Sequence, residues 1–217
     1  TDEFWTSRMP DFSKINIPLL SSANWGGQGL HSRGNFDGYV RSASDQKWLE
    51  VHGIEHWTEF YTDYGVKIQK QFFDYYLKGK ENGWQDRPRV NLLTRYPNEV
   101  FKENYYSSWP LEGTDWRKAY LNASDLSLST SNQTEAEITY QGFSDGVTFL
   151  APPVNQETEI TGPIGLKIYV SSDTIDADIF AVFRIFDEEL KEVTFQGAID
   201  PHTPVSQGWL RASHRKL

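Results

Sequence analysis

The chain has 217 residues, 38% of them hydrophobic and 15% aromatic, with a formal net charge of −9 and no cysteine. A nucleic-acid partner is excluded, because binders of that class carry a basic patch and the densest basic run here is only the C-terminal RASHRKL. No apolar run approaches the length of a membrane span, and without cysteines there are neither disulfides nor thiolate metal sites. The length lies between one and two typical domains and suffices to bury a core. The chain starts at Thr1 and stops after SHRKL, so a piece of a longer polypeptide is expected. No signal-peptide pattern is visible, which favours the cytoplasm.

In chain order, the N-terminal part reads as α/β. IPLLSSAN (Ile17–Asn24) is a mostly apolar run without strict alternation, as in a strand buried on both faces. The loop WGGQGLHSRG follows, with glycines that permit sharp turns. NFDGYVRSASD reads as a helix weakened by Gly38. KWLEVHG (Lys47–Gly53) reads as a second strand. TEFYTDYGVKIQKQFFDYYLKGKENG carries a helical stripe of Val66, Ile68, Phe72, Phe73, Tyr76 and Leu77, with Lys78 at its end and Gly79 as the C-cap.

Near Gln85–Arg89 the character changes. RVNLLTRY (Arg89–Tyr96), KAYLN, AEITYQ, VTFLAP, TEITGPIGLKIYVSS, ADIFAVFRIFD and KEVTFQGAI all read as short strands between turn signals. That pattern predicts an all-β sandwich. The Ser/Thr-rich NASDLSLSTSNQT reads as a surface loop with two glycosylation sequons, at Asn122 and Asn132.

The order strand, loop, helix, strand, histidine bears on chemistry. In α/β-hydrolases the relay runs Ser, then Asp or Glu, then His, with the histidine in a loop after a late strand. His56, just past Lys47–Gly53, stands at that place, and imidazole titrates near working pH. His52, at the strand end, reads as structural. His31, in the glycine loop, is a candidate pocket residue. No two histidines have metal-ligand spacing, and Asp176 and Asp178 alone make a poor calcium site, so neither a metal nor any other cofactor is expected. GFSDG (Gly142–Gly146) fits the Gly-x-Ser-x-Gly pattern, but strand-like runs flank it on both sides and it follows the histidine in sequence. Ser144 therefore reads as a turn residue rather than a nucleophile.

SKINIPLLSSANW, HGIEHWTEFY, QFFDYYLKGKENGW, TEITGP, DADIFAVFR and QGWLRASHRKL resemble the cocaine-esterase/X-prolyl dipeptidyl-peptidase (CocE/NonD) family of serine hydrolases along nearly the whole chain. The resemblance implies that residues 1–86 are the C-terminal part of an α/β-hydrolase domain. It implies that residues 87–217 are an incomplete jelly-roll, galactose-binding-like β-sandwich. His56 maps to the family's relay histidine, and the nucleophilic serine would lie upstream, so this chain alone is expected to be inactive. The family's aspartate follows a late strand as Trp-x-Asp, whereas NWGGQG offers no carboxylate there. Asp37 is the favoured substitute, ahead of Glu55 and Asp2. Trp25 and Trp57 are candidate walls of a substrate pocket, with packing of a domain interface as the alternative. The partners implied are a small ester or an X-Pro peptide substrate and the rest of the hydrolase domain; oligomerisation is left open. The other reading of the chain is a non-catalytic β-sandwich binding module.

Overall fold

The structure, a computed structural model, describes residues 3–131 and 134–215. Asp2 and the sequon asparagine Asn132 lie outside the described residues. The chain divides into two compact units, one formed by Thr1–Glu112 with Pro163–Leu217 and the other by Gly113–Gly162.

In the first unit, a short helix α1 (Glu3–Thr6) precedes strand β1 (Leu19–Asn24), helix α2 (Ser32–Arg41) and strand β2 (Lys47–His52). Helices α3 (His56–Tyr61) and α4 (Asp63–Lys78) follow, then strands β3 (Val90–Tyr96) and β4 (Val100–Tyr106). These four strands form one sheet in the order β1-β2-β3-β4, parallel except for the antiparallel β3–β4 hairpin. The parallel crossovers run through α2 and through α3–α4, as parallel strands require.

Alternation along β2 sorts the core. Leu49 and Val51 join Ala23, Tyr39, Val90 and Leu92 on the α2 side. Trp48 packs with Ile68, Phe72 and Trp84 on the α4 side. The predicted helical stripe is narrower than its sequence suggests. Ile68 and Phe72 are buried, whereas Val66, Phe73 and Leu77 stay exposed. Thr62 caps α4 by accepting the Gly65 N–H, and Gly79 closes it at φ 62°, the left-handed conformation that glycine adopts without a Cβ penalty. Beyond Ile17, β1 is shorter than predicted, and it is an edge strand whose Ser22 is exposed, not a strand buried on both faces.

β3, predicted to open the sandwich, pairs with β2 (Leu49 with Val90, Val51 with Leu92) and so continues the α/β sheet across the composition change at Gln85–Arg89. β4 was not apparent from the sequence, because VFKENYY lacks a clean apolar alternation. The tight turn before it places Asn98 at φ 65° and Glu99 at φ 57°. Later in this unit, β7 (Asp178–Phe183) pairs antiparallel with β10 (Ser206–Arg211), and β8 (Ile185–Phe186) with β9 (Glu192–Val193). Asp178 and Arg211 form a two-bond ion pair at 2.8 and 2.9 Å across the β7–β10 ladder, and Asp176 accepts from the Ser213 N–H, so both aspartates serve strand pairing. TEITGPIGLKIYVSS forms no strand. Its Ile164, Leu166, Ile168 and Val170 alternate as a strand's would, yet all remain exposed. Alternation expresses a side-chain preference; a strand also needs a partner to complete its ladder.

In the second unit, β5 (Tyr120–Asn122) and β6 (Ser127–Ser129) form a hairpin, and Leu150 bridges to Ser127. AEITYQ is irregular, and VTFLAP contributes only that bridge. No helix among the described residues is long and apolar enough to cross a membrane.

The C-terminal turn of α4 holds a charge cluster. Asp74 is buried and pairs with Lys70, with Lys78 at 2.6 Å and with Lys80 at 3.3 Å. Hydrogen bonds from Lys70 and Lys78 hold its carboxyl well below the usual carboxylate range, against the opposing pull of burial. A depressed carboxyl stabilises the fold above its unfolded value, about 3.9, and loses that contribution as pH falls toward its folded value. The stability difference between wild type and Asp74→Asn is therefore expected to be constant from pH 7 to about 5 and to shrink below about pH 4. Denaturant titration at each pH measures it; a difference that grows on acidification contradicts the assignment.

Candidate functional site

The C-terminal ends of β1 and β2 lie side by side, with Asn24 opposite His52. Two glycine-bearing turns leave them and meet. The Trp25 N–H donates to the His52 carbonyl at 3.0 Å, and the Gly26 N–H to the Ile54 carbonyl at 2.7 Å. A Cβ on Gly26 would overlap that same carbonyl, and one on Gly27 would press on the Asn24 side-chain amide. The contact is also gripped from the C-terminal segment, where the Ala198 N–H donates to the Gly26 carbonyl at 2.9 Å. Gln28 donates to the Pro204 and Val205 carbonyls, at 2.9 Å each. Between the two histidines, Ile54 adopts φ 52°, a left-handed conformation that is strained for a β-branched residue.

His56 opens α3 directly beyond this turn. Its ring is half-buried and meets His31 edge-on at 4.5 Å between centroids, and Trp57 likewise at 4.7 Å. Its Nδ1 is enclosed and has no hydrogen-bond partner among the described residues. The structure thus brings together His56, His31 and Trp57, three of the residues singled out in the sequence; Trp57 is 46% exposed, so its ring is available as a surface.

Other sequence candidates are placed differently. Asp37 does not reach His56. It sits on α2 one turn after Arg33, whose guanidinium is its partner at 4.0 Å, and half of its side chain is exposed. Glu55 is buried, but its carboxylate accepts from Thr58 within the same turn. Trp25 does not wall a pocket. Its indole N–H donates to the Leu93 carbonyl at 2.6 Å and its ring stacks on Phe36 at 5.8 Å, so it packs the α2-side core. Ser144 lies in an exposed turn, its hydroxyl donating to the Gln141 carbonyl at 2.7 Å. Gly27, where the resemblance would put an aspartate, has its side-chain space taken by Asn24.

A second constellation was missed. On the α3–α4 side of the sheet, Glu50 and His52 are both buried, and the His52 Nδ1 lies 3.0 Å from the Glu50 carboxylate. Ser22 donates its hydroxyl to the same carboxylate at 2.5 Å. A carboxylate only accepts, so the His52 Nδ1 bears a proton toward Glu50, and Nε2 is buried without a partner among the described residues. Asn91 of β3 spends both amide hydrogens, on the Tyr64 hydroxyl and on Glu103 at 2.9 Å each, and its Oδ1 is likewise buried and unpartnered. Leaving such groups unmet costs roughly 1–3 kcal/mol each. These atoms border a cavity of about 230 Å³, also lined by Glu59 of α3 and Phe101 of β4. Burial, reinforced by the charges of Glu50 and Glu103, pushes the Tyr64 phenol above its ordinary value. The signal in the sequence was Glu50 itself, a charged residue inside the strand KWLEVH two positions before a histidine, hence on the same face. No group of three or more His, Cys, Asp or Glu among the described residues is arranged to hold a metal ion.

Residues 82–217 match the family described as the X-Pro dipeptidyl-peptidase C-terminal non-catalytic domain. Two crystal structures of a CocE/NonD family hydrolase from Staphylococcus aureus are similar to the chain, each with a TM-score of 0.84 and 31% sequence identity. The match covers all of this chain, which spans 40% of the length of each of those chains. No match is found among curated proteins.

The close approach at Gly26 is testable. Gly26→Ala is expected to lose about 1–3 kcal/mol of stability through forced displacement of the Ile54 carbonyl. Gly34→Ala, in α2 with open space around it, is expected to gain roughly 0.5–1 kcal/mol. Chemical denaturation of the two variants measures both, and equal stabilities would show that the two turns do not touch.

Proposed function

Because the chain belongs to the CocE/NonD hydrolase family, with an X-Pro dipeptidyl-peptidase-type C-terminal region from residue 82, we propose that it is the C-terminal segment of a serine hydrolase that cleaves an ester, an amide or an X-Pro peptide bond through an acyl-enzyme. In this reading residues 1–86 belong to an α/β-hydrolase domain. β3 and β4 extend that domain's sheet, and the residues beyond β4 contribute to a jelly-roll, galactose-binding-like sandwich. The nucleophilic serine and its oxyanion donors come from a part of the polypeptide outside these 217 residues. The share of the Staphylococcus aureus chains that this chain spans leaves room for such a part.

The observation that carries the reading is the placement of His56. It follows the C-terminal end of β2 within four residues and heads a helix. Its ring is held between His31 and Trp57 rather than free in solvent. There it takes the proton of the serine as general base and returns it to the leaving group as general acid. In this reading the carboxylate that orients Nδ1 is supplied by the rest of the polypeptide, Asp37 being paired with Arg33 and Glu55 accepting from Thr58. Trp57 and His31 flank the substrate. His52 is the poorer base despite its better-fixed tautomer. Its free nitrogen borders a cavity lined by Glu50, Glu59 and Glu103, and negative charge developing on a substrate oxygen there would be opposed rather than stabilised.

A second reading, a non-catalytic binding module, is favoured by the description of the family that residues 82–217 match. Fluorophosphonate labelling of the full polypeptide separates the two. In the first reading a serine is labelled, and His56→Ala slows labelling by about 100-fold or more, while His52→Gln leaves the rate within a few-fold. Labelling unchanged in His56→Ala removes His56 as the base. No labelled serine at all favours the module.

A further inference from the structure

We propose that the cavity between the β2–β3–β4 face and the α3–α4 helices is a binding site for a small organic cation bearing N–H donors, an ammonium or guanidinium group. The inference does not depend on the role of His56 or on any serine.

The lining offers mostly acceptors, with the Tyr64 O–H as a donor among them. Glu50 holds the Nδ1–H of His52, so in the neutral ring the enclosed Nε2 presents a lone pair. Asn91 has both N–H groups committed to Tyr64 and Glu103, so only its unpartnered Oδ1 is free. His52 and Asn91 are 4% and 7% exposed, so both are built into the fold rather than displayed on it. The carboxylates of Glu50, Glu59 and Glu103 border the same space, and neither lysine nor arginine does. An anion would face the carboxylates of Glu50, Glu59 and Glu103 with the Tyr64 O–H as its donor. A metal ion would need ligands clustered on one point, and the described residues hold no such group. A group that carries several N–H donors outward, and spreads its charge over more than one atom's width, satisfies the unpartnered atoms and the carboxylates together. Phe101 adds an aromatic ring to the lining, of the kind that attracts organic cations. At about 230 Å³ the cavity admits the end of a side chain or a small amine rather than a large ligand.

The test uses the full polypeptide, with the His52 ring nitrogens followed by long-range proton–nitrogen NMR. The probes are n-butylammonium and methylguanidinium, against tetramethylammonium, which has no N–H, and n-butanol, which has no charge. A saturable shift of the His52 Nε2 resonance is expected with the first two and not with the others. Glu103→Gln, at an exposed position on β4 and therefore safe for folding, is expected to weaken binding about tenfold, and Glu59→Gln similarly. The proposal is overturned if neither amine gives a saturable shift, if n-butanol or tetramethylammonium matches them, if calcium or zinc saturates the site while the amines do not, or if Glu103→Gln and Glu59→Gln both bind as wild type does.

Discussion

Glu50 sits in the middle of a buried parallel strand, and the surrounding polar architecture follows from that fact. A carboxylate removed from water is tolerable only if its oxygens are met. β1 meets it with Ser22, and β2 with its own His52 two residues on. Once His52 is tied through Nδ1, its other nitrogen must face something, and the sheet answers with polar side chains instead of apolar ones. Asn91, Tyr64 and Glu103 form the continuing network. The α3–α4 face of the sheet is therefore divided. One end is an aromatic core around Trp48, Phe72 and Trp84, and the other is a polar chamber. The opposite face is mostly apolar, with Ser21 its buried polar exception, donating to the Asn35 carbonyl of α2.

Much of the α/β part was legible because its signals are local. The strand runs before Asn24 and around Trp48, and the cap pair Thr62 and Gly79 that bounds α4, depend on neighbours a few residues away. What escaped depends on distant partners. RVNLLTRY reads as a strand, but only the pairing of Val90 with Leu49 shows which sheet it joins. The runs around Ile138, Phe149 and Ile168 carry strand composition yet remain irregular, because composition cannot supply a partner. The site divides in the same way. His56 was found from its position after a strand and His31 from its loop, and the two rings do meet. Asp37 was chosen for proximity along the chain, but helical geometry turned it to Arg33 one turn earlier. Glu50 escapes a reading of the strand by its apolar residues, because its meaning lies in being a charge inside the buried run.

The glycine pair in NWGGQG shows how a missing carboxylate can have a packing cause. Gly26 is pressed against the backbone of the turn that carries His56, and Gly27 against the buried amide of Asn24. Two chain segments and a third from Ala198 hydrogen-bond through this contact. An aspartate at Gly27 would have to displace Asn24, which is 1% exposed. The space at Gly27 is used here to lock β1, β2 and the C-terminal segment together, and the ring contacts with His31 and Trp57 are what hold His56 among the described residues.

His52 and His56 are four residues apart and chemically distinct. The strained left-handed turn at Ile54 separates them, reversing the chain so that one histidine ends a strand and the other begins a helix. His52 has a fixed tautomer, a buried acid partner and a nitrogen in an electronegative chamber, which suits it to accept a hydrogen bond from a cation. His56 has an aromatic surround and a half-buried ring, with no carboxylate paired to it among the described residues. An acid partner alone does not identify the catalytic histidine in such a site. For the acyl transfer proposed above, the charge of the space that the free nitrogen faces discriminates between them, since such a base serves a centre where negative charge accumulates, and Glu50, Glu59 and Glu103 line the cavity beside His52.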